Sequence, residues 1–112
     1  MKNYTSQTNG LTITCTGEAE IGDLVELQDD YYVVKSPLNH PFHGVVSAKK
    51  GELLSVQVKG LISVRCVDGG VGVGVMKLIA DPDNSIQPDD SMGVPFLVVG
   101  LNRENNTADI LL

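Results

Sequence analysis

The sequence predicts an all-β protein, a small antiparallel β-barrel or sandwich behind a polar, extended N-terminal arm. Three observations carry that expectation. Residues 53 to 67, LLSVQVKGLISVRCV, alternate apolar and polar side chains: Val56, Val58, Ile62, Val64 and Cys66 on one parity, Ser55, Gln57, Lys59, Ser63 and Arg65 on the other. A period of two is what a strand needs when one face is buried and the other is wet. Turn signals recur at close spacing along the chain, which fits many short strands. No amphipathic stretch runs longer than about two helical turns, short of an ordinary helix.

The elements follow in order. Residues 1–10 (MKNYTSQTNG) are polar and form the arm; residues 11–112 form a single β domain, the natural count for 112 residues. LTITC (11–15) turns Leu11, Ile13 and Cys15 inward and Thr12 and Thr14 outward. Gly22-Asp23 marks a turn before a strand at Leu24–Leu27, and Asp29-Asp30 connects it tightly to YYVVK (31–35) as a hairpin. SPLNHPFHG (36–44), punctuated by Pro37 and Pro41, reads as a loop, Val45 and Val46 as a short strand, and AKKGE (48–52) as a turn around Gly51. Gly60 breaks the long alternating run, so a bulge or barrel corner is expected there. Asp68-Gly69-Gly70 is a turn and VGVGVMKLIA (71–80) a strand. DPDNSIQPDDSMG (81–93) is a polar loop with a short strand at Ile86; Pro95–Leu101 and Thr107–Leu112 are strands joined by a turn at Asn105-Asn106.

Composition narrows the function classes. The apolar share of 42% is globular, yet Trp is absent and only Phe42, Phe96, Tyr4, Tyr31 and Tyr32 are aromatic. Carbohydrate platforms and single-strand nucleic-acid grooves rely on exposed aromatics, so both are disfavoured. A net charge of −6 argues against nucleic acid and anionic membrane as partners, because contacts with phosphate dominate such affinity. The charge is also segregated: residues 1–34 and 78–112 are acidic, while Lys35, Lys49, Lys50, Lys59, Arg65 and Lys77 make the middle basic. That pattern suits either solvated faces or side-by-side packing of identical copies. Cys15 and Cys66 lie on apolar parity in strand-like runs, where reduced core thiols are the default and a disulfide between neighbouring strands stays open. The opening residues lack the apolar core of a signal peptide, and no apolar run approaches 18 residues, so synthesis in the cytosol is expected.

Residues able to do chemistry are present without the pattern chemistry needs. Gly70, Gly72 and Gly74 superficially resemble a phosphate loop, but a turn precedes them and a strand follows, where a helix N-terminus is required. His40 and His43 flank Pro41-Phe42 with no third ligand at metal-site spacing and no neighbouring nucleophile motif. Asp81, Asp83, Ser85, Gln87 and Asp89 imitate a calcium loop, yet Ile86 stands where glycine is needed and Met92 where the bidentate glutamate belongs. Asp29-Asp30 and Asp89-Asp90 are adjacent turn carboxylates, not a facing acid–base pair. The expectation is a protein that is not an enzyme and needs no cofactor or metal.

Taken in order, Met1–Tyr4, the Thr-rich Leu11–Thr14, Gly22–Val25, Gly44-Val45-Val46 and Ser55–Gly60 resemble the small capsid decoration (cement) proteins of tailed bacteriophages. The resemblance covers about the first 65 residues; beyond residue 70 the sequence is also similar to β domains of phage head or tail fibres. It implies a β-tulip-like barrel, a location on the virion's capsid surface, the major capsid protein of a phage head as partner, and assembly as a homotrimer. Such a protein bridges neighbouring capsomers and so stabilises the capsid against internal DNA pressure. The polar arm, Lys2, Asn3, Tyr4, Thr5, Ser6, Gln7, Thr8 and Asn9, is the expected capsid-binding segment, since an extended arm can add to an exposed strand of a neighbour. Many identical weak contacts then sum on a repeating lattice. A head-fibre or tail-associated structural domain is the alternative reading.

Overall fold

A computed structural model describes residues 10–66, 70–81 and 83–112. Among them every regular element is a strand. Strands β1 (Thr12–Glu18), β2 (Leu24–Asp29), β3 (Tyr32–Lys35), β4 (Gly44–Lys50) and β5 (Leu53–Gln57) are followed by β6 (Leu61–Cys66), β7 (Gly74–Ala80), β8 (Ser85–Pro88), β9 (Val94–Asn102) and β10 (Thr107–Leu111). The all-β class therefore holds, and the barrel form with it. The arm residues Lys2 to Asn9 and the turn at Asp68-Gly69 lie outside the described residues.

The chain closes two barrels, each of five strands. The first runs β1-β3-β2-β4-β5 and returns to β1; the second runs β10-β6-β8-β7-β9 and returns to β10. The second repeats the first strand for strand, with β6 to β10 taking the places of β1 to β5. In each barrel the first and third strands are parallel, β1 with β3 and β6 with β8, and every other pair is antiparallel. The sequence pointed to antiparallel pairing throughout; the parallel pairs arise because β2 and β3 form a hairpin whose second strand returns beside β1.

Registers match at four of the five seams, and at the fifth β9 is shifted by two residues along β7 relative to β4 along β2. Ile13 opposes Val56 and Cys15 opposes Leu54, as Ile62 opposes Ile110 and Val64 opposes Ala108. Leu27 opposes Val33 as Ala80 opposes Ile86. Even the irregularity recurs: Ser47 is skipped between Val46↔Val56 and Ala48↔Ser55, and Val99 between Val98↔Ile110 and Gly100↔Asp109. Tyr31 and Asn84, each just ahead of the third strand of its barrel, share positive φ, 52° and 64°.

This register fixes two cores. Cys15, Val25, Val33, Val46, Leu54 and Val56 fill the first barrel, and Val64, Leu78, Ile86, Val98, Ala108 and Ile110 occupy the matching positions of the second. Fully burying such a Val, Leu or Ile contributes about 1.5–3 kcal/mol each, so the alternating pattern is what drives closure. Three residues cross the boundary, Leu24 and Phe42 fully and Val45 from the edge. Leu24 and Phe42 belong to the first half by sequence but pack into the second half's core, with the Phe42 ring stacked on Phe96 at a centroid distance of 4.8 Å. The result is a block of 38 × 36 × 22 Å.

Gly60 is the corner the sequence anticipates, at φ 105°, and it is where the chain leaves one barrel for the other. Other boundaries differ from the sequence reading. β4 runs on through Ala48, Lys49 and Lys50, which pair with β5, so the turn shrinks to Gly51-Glu52. β1 continues to Glu18 because Thr16, Gly17 and Glu18 take β3 as a neighbour. β7 begins at Gly74 rather than Val71, while Ile86 anchors the full strand β8.

Candidate interaction surfaces

The residues singled out for chemistry are occupied with holding their own loops. The Leu27 amide donates to His43 Nδ1 at 2.9 Å, which ties the loop before β4 to the end of β2. His40 Nδ1 lies 3.1 Å from Glu26 Oε2, and the His40 carbonyl accepts from the Ala80 amide at 3.1 Å. The two imidazoles therefore serve different loop contacts. Among the described residues no group of three or more His, Cys, Asp or Glu converges.

The carboxylates imitating a calcium loop turn inward on their own backbone. Asp83 Oδ1 accepts from Ser85 Oγ at 2.5 Å and from the Ser85 amide at 3.1 Å. These bonds, the hydroxyl's first, hold the Asp83 carboxyl below its ordinary range, with Arg65 3.7 Å away adding to the effect. Asp89 Oδ1 accepts from the Met92 and Ser91 amides, each at 2.9 Å, and from Ser91 Oγ at 3.0 Å. The Met92 amide leads in pulling that carboxyl down. Gly72 leads into β7, so the glycine run ends in a strand. Cys15 is buried and Cys66 half-buried, both free, one in each barrel; burial pushes the Cys15 thiol up.

A partly buried polar cluster joins the barrels. Asp23 Oδ1 accepts from Asn84 Nδ2 at 2.8 Å, Asp23 Oδ2 accepts from the Glu20 amide at 2.8 Å, and Asn84 Oδ1 accepts from the Leu24 amide at 3.2 Å. Sequence reasoning placed Asp23 in a turn and Asn84 in a polar loop. Only the fold brings them together across 61 positions.

Three features remain open to partners. The outer wall of the second barrel carries an apolar row in which Val75, Leu97, Leu111 and Leu61 are successive cross-strand neighbours. Val75 is 72% exposed and Leu97 41%. The second feature is an open pocket of about 400 Å³ at one mouth of the first barrel, lined by Ile13, Leu27, Tyr31 and the segment Gln28 to Asp30. The third is a charged pocket of about 560 Å³ at the opposite mouth, where Lys49 donates to the Ala19 carbonyl and pairs with Glu20 at 2.7 Å. The row and the first pocket were missed in the sequence. Leu27 lies on the buried parity of β2, and only the barrel's open end leaves it uncovered.

No helix among the described residues is long and apolar enough to cross a membrane. Comparison with protein-family models, with curated proteins and with solved structures finds no match to this chain.

Proposed function

We propose that this chain is a structural protein of a bacteriophage virion, a capsid decoration protein that binds the outer surface of the head and stabilises contacts between capsomers. The reading is supported by the order of motifs from Met1–Tyr4 to Ser55–Gly60, but the observation that carries it is a property of the surface. The carboxylates of Asp83 and Asp89 cap their own turns, while apolar side chains face outward in a continuous row from Val75 to Leu61. Monomeric proteins seldom keep such rows uncovered, because the exposed area favours association. The partner is the major capsid protein, reached through the arm residues Lys2 to Asn9, and the working form is a homo-oligomer, a trimer. Each contact is weak and the lattice multiplies it.

The experiment is sedimentation of the purified protein with expanded phage heads, comparing the intact chain with one lacking residues 2–9. The reading expects the intact chain to co-sediment, and the shortened chain to stay in solution with its strand spectrum unchanged. Equal co-sedimentation of both removes the arm from the account, and absence of binding by the intact chain removes the function.

A further inference from the structure

The internal repeat relates two of the open surfaces, the mouth of the first barrel and the outer wall of the second. In the second barrel, the mouth formed by Ile62, Ala80 and Asn84 is sealed by the outer wall of the first. Leu24, Phe42 and Val45 pack onto the core there. The Asn39 amide donates to the Ala80 carbonyl and the Leu24 amide to Asn84 Oδ1. Ala80 is wholly buried as a result.

The register gives each of these residues a counterpart. On the first barrel the mouth corresponds to Ile13 for Ile62, Leu27 for Ala80 and Tyr31 for Asn84. Those residues line the open pocket of about 400 Å³, with Leu27 47% and Tyr31 67% exposed. On the second barrel the plugging wall corresponds to β7 and β9. By register Lys77 stands where Leu24 does and Leu97 where Val45 does, and Val75 opposite Leu97 continues that wall. Met92 precedes β9 as Phe42 precedes β4, and is 56% exposed. Thus the chain covers one mouth with one wall and leaves the matching mouth and the matching wall open, each with exposed apolar side chains beside charged ones.

We infer that the occupant of the first barrel's mouth is the β7–β9 wall of a second copy of this chain, so that copies associate head to tail by repeating the contact already made within each chain. Charge favours the pairing, since Lys77 on the wall meets Asp29 and Asp30 on the rim of the mouth. A contact between two different patches is heterologous, and its geometry closes into a ring or continues as an open chain. The inference supplies a self-association surface for the proposed function without depending on it. Copies that assemble in this way but ignore phage heads keep the contact and lose the function.

The test uses the full chain and two substitutions at exposed positions, Val75→Asp on the wall and Leu27→Asp in the mouth, with circular dichroism and thermal melts to confirm that both fold. Light scattering on a concentration series should give the intact chain a mass that is a multiple of 11.9 kDa. Each variant alone should fall to the single-chain mass. Mixed in equal amounts they should recover a two-chain species, because Val75→Asp retains a working mouth and Leu27→Asp a working wall. A monomeric intact chain, continued assembly by either variant alone, or a mixture that stays monomeric would each overturn the inference.

Discussion

Asn84 holds the two barrels together through Asp23: its amide nitrogen donates to Asp23 Oδ1 at 2.8 Å while its amide oxygen accepts from the Leu24 backbone. The pair sits where the first barrel's wall meets the second barrel's mouth, with Asp23 itself buried. Replacing Asn84 by Ala strands a buried carboxylate oxygen and a backbone amide. Leaving such groups unpaired costs about 1–3 kcal/mol, and the left-handed backbone at φ 64° is one that Asn tolerates better than Ala. Chemical denaturation should show a lower midpoint for Asn84→Ala, and an unchanged midpoint would remove the clamp from the account.

Phe42 makes a stronger prediction because it is the plug itself. It is fully buried and stacked on Phe96, so Phe42→Ala leaves a cavity between the barrels at a cost of about 3–5 kcal/mol. In a chain this size each kcal/mol lowers Tm by about 4–8 °C, so the melt should move far. Hydrogen exchange should quicken most at Leu78 and Ala80, which share its cluster, and less at Val33 and Leu54 in the other core.

Gly17 tests the close approach that the parallel pair requires. Its φ is 150°, and a Cβ there would overlap the Val33 carbonyl oxygen across the β1–β3 seam. Gly17→Ala should destabilise by about 1–3 kcal/mol through overpacking. Gly72→Ala is the control: nothing lies within 4 Å of its added Cβ, so its melt should stay close to that of the parent.

The thiols should separate by position. Cys15 is buried in the first core and burial holds it in the protonated, unreactive form, while Cys66 is half-buried. Native-state labelling with a thiol reagent should modify Cys66 well before Cys15, and unfolding should expose both equally. Rapid labelling of Cys15 in the folded chain would contradict the closed barrel.

Asp89 gives a pH dependence whose sign is fixed. Its carboxyl is held below its ordinary value of 3.8, chiefly by the Met92 amide, then by the Ser91 hydroxyl. A depressed carboxyl stabilises the fold above that ordinary value and loses the contribution as pH falls through the folded value. Asp89→Asn should therefore flatten the fall of Tm with acid below about pH 4, while a parallel curve would show that the turn adds no linked protons.

The strand class was legible because burial in a barrel imposes a period of two, and Val56, Ile62, Val64 and Cys66 display it openly. The duplication was not. Matching positions hold different residues, Cys15 against Val64, Leu54 against Ala108, Leu27 against Ala80. A barrel interior asks only for apolar volume at a given register, so the pattern persists while the letters change. Loop lengths differ too: Gly51-Glu52 joins β4 to β5, whereas residues 103–106 join β9 to β10. Parallel pairing leaves no local trace either, since β1 and β3 meet only after β2 has folded back. In the 81–93 loop the sequence set Ile86 and Met92 against a calcium pattern, while the use of Asp83 and Asp89 as turn caps needed coordinates. Phe42 shows the same limit, because its ring serves a core built from residues far along the chain.

The capsid reading is tested most directly by electron cryo-microscopy of intact virions bearing a tag on the C-terminal Leu112. The account predicts density repeating over the outer face of the head, in register with the capsomer lattice and removed together with this chain. Density confined to a fibre or the tail, or none on the particle, would contradict it.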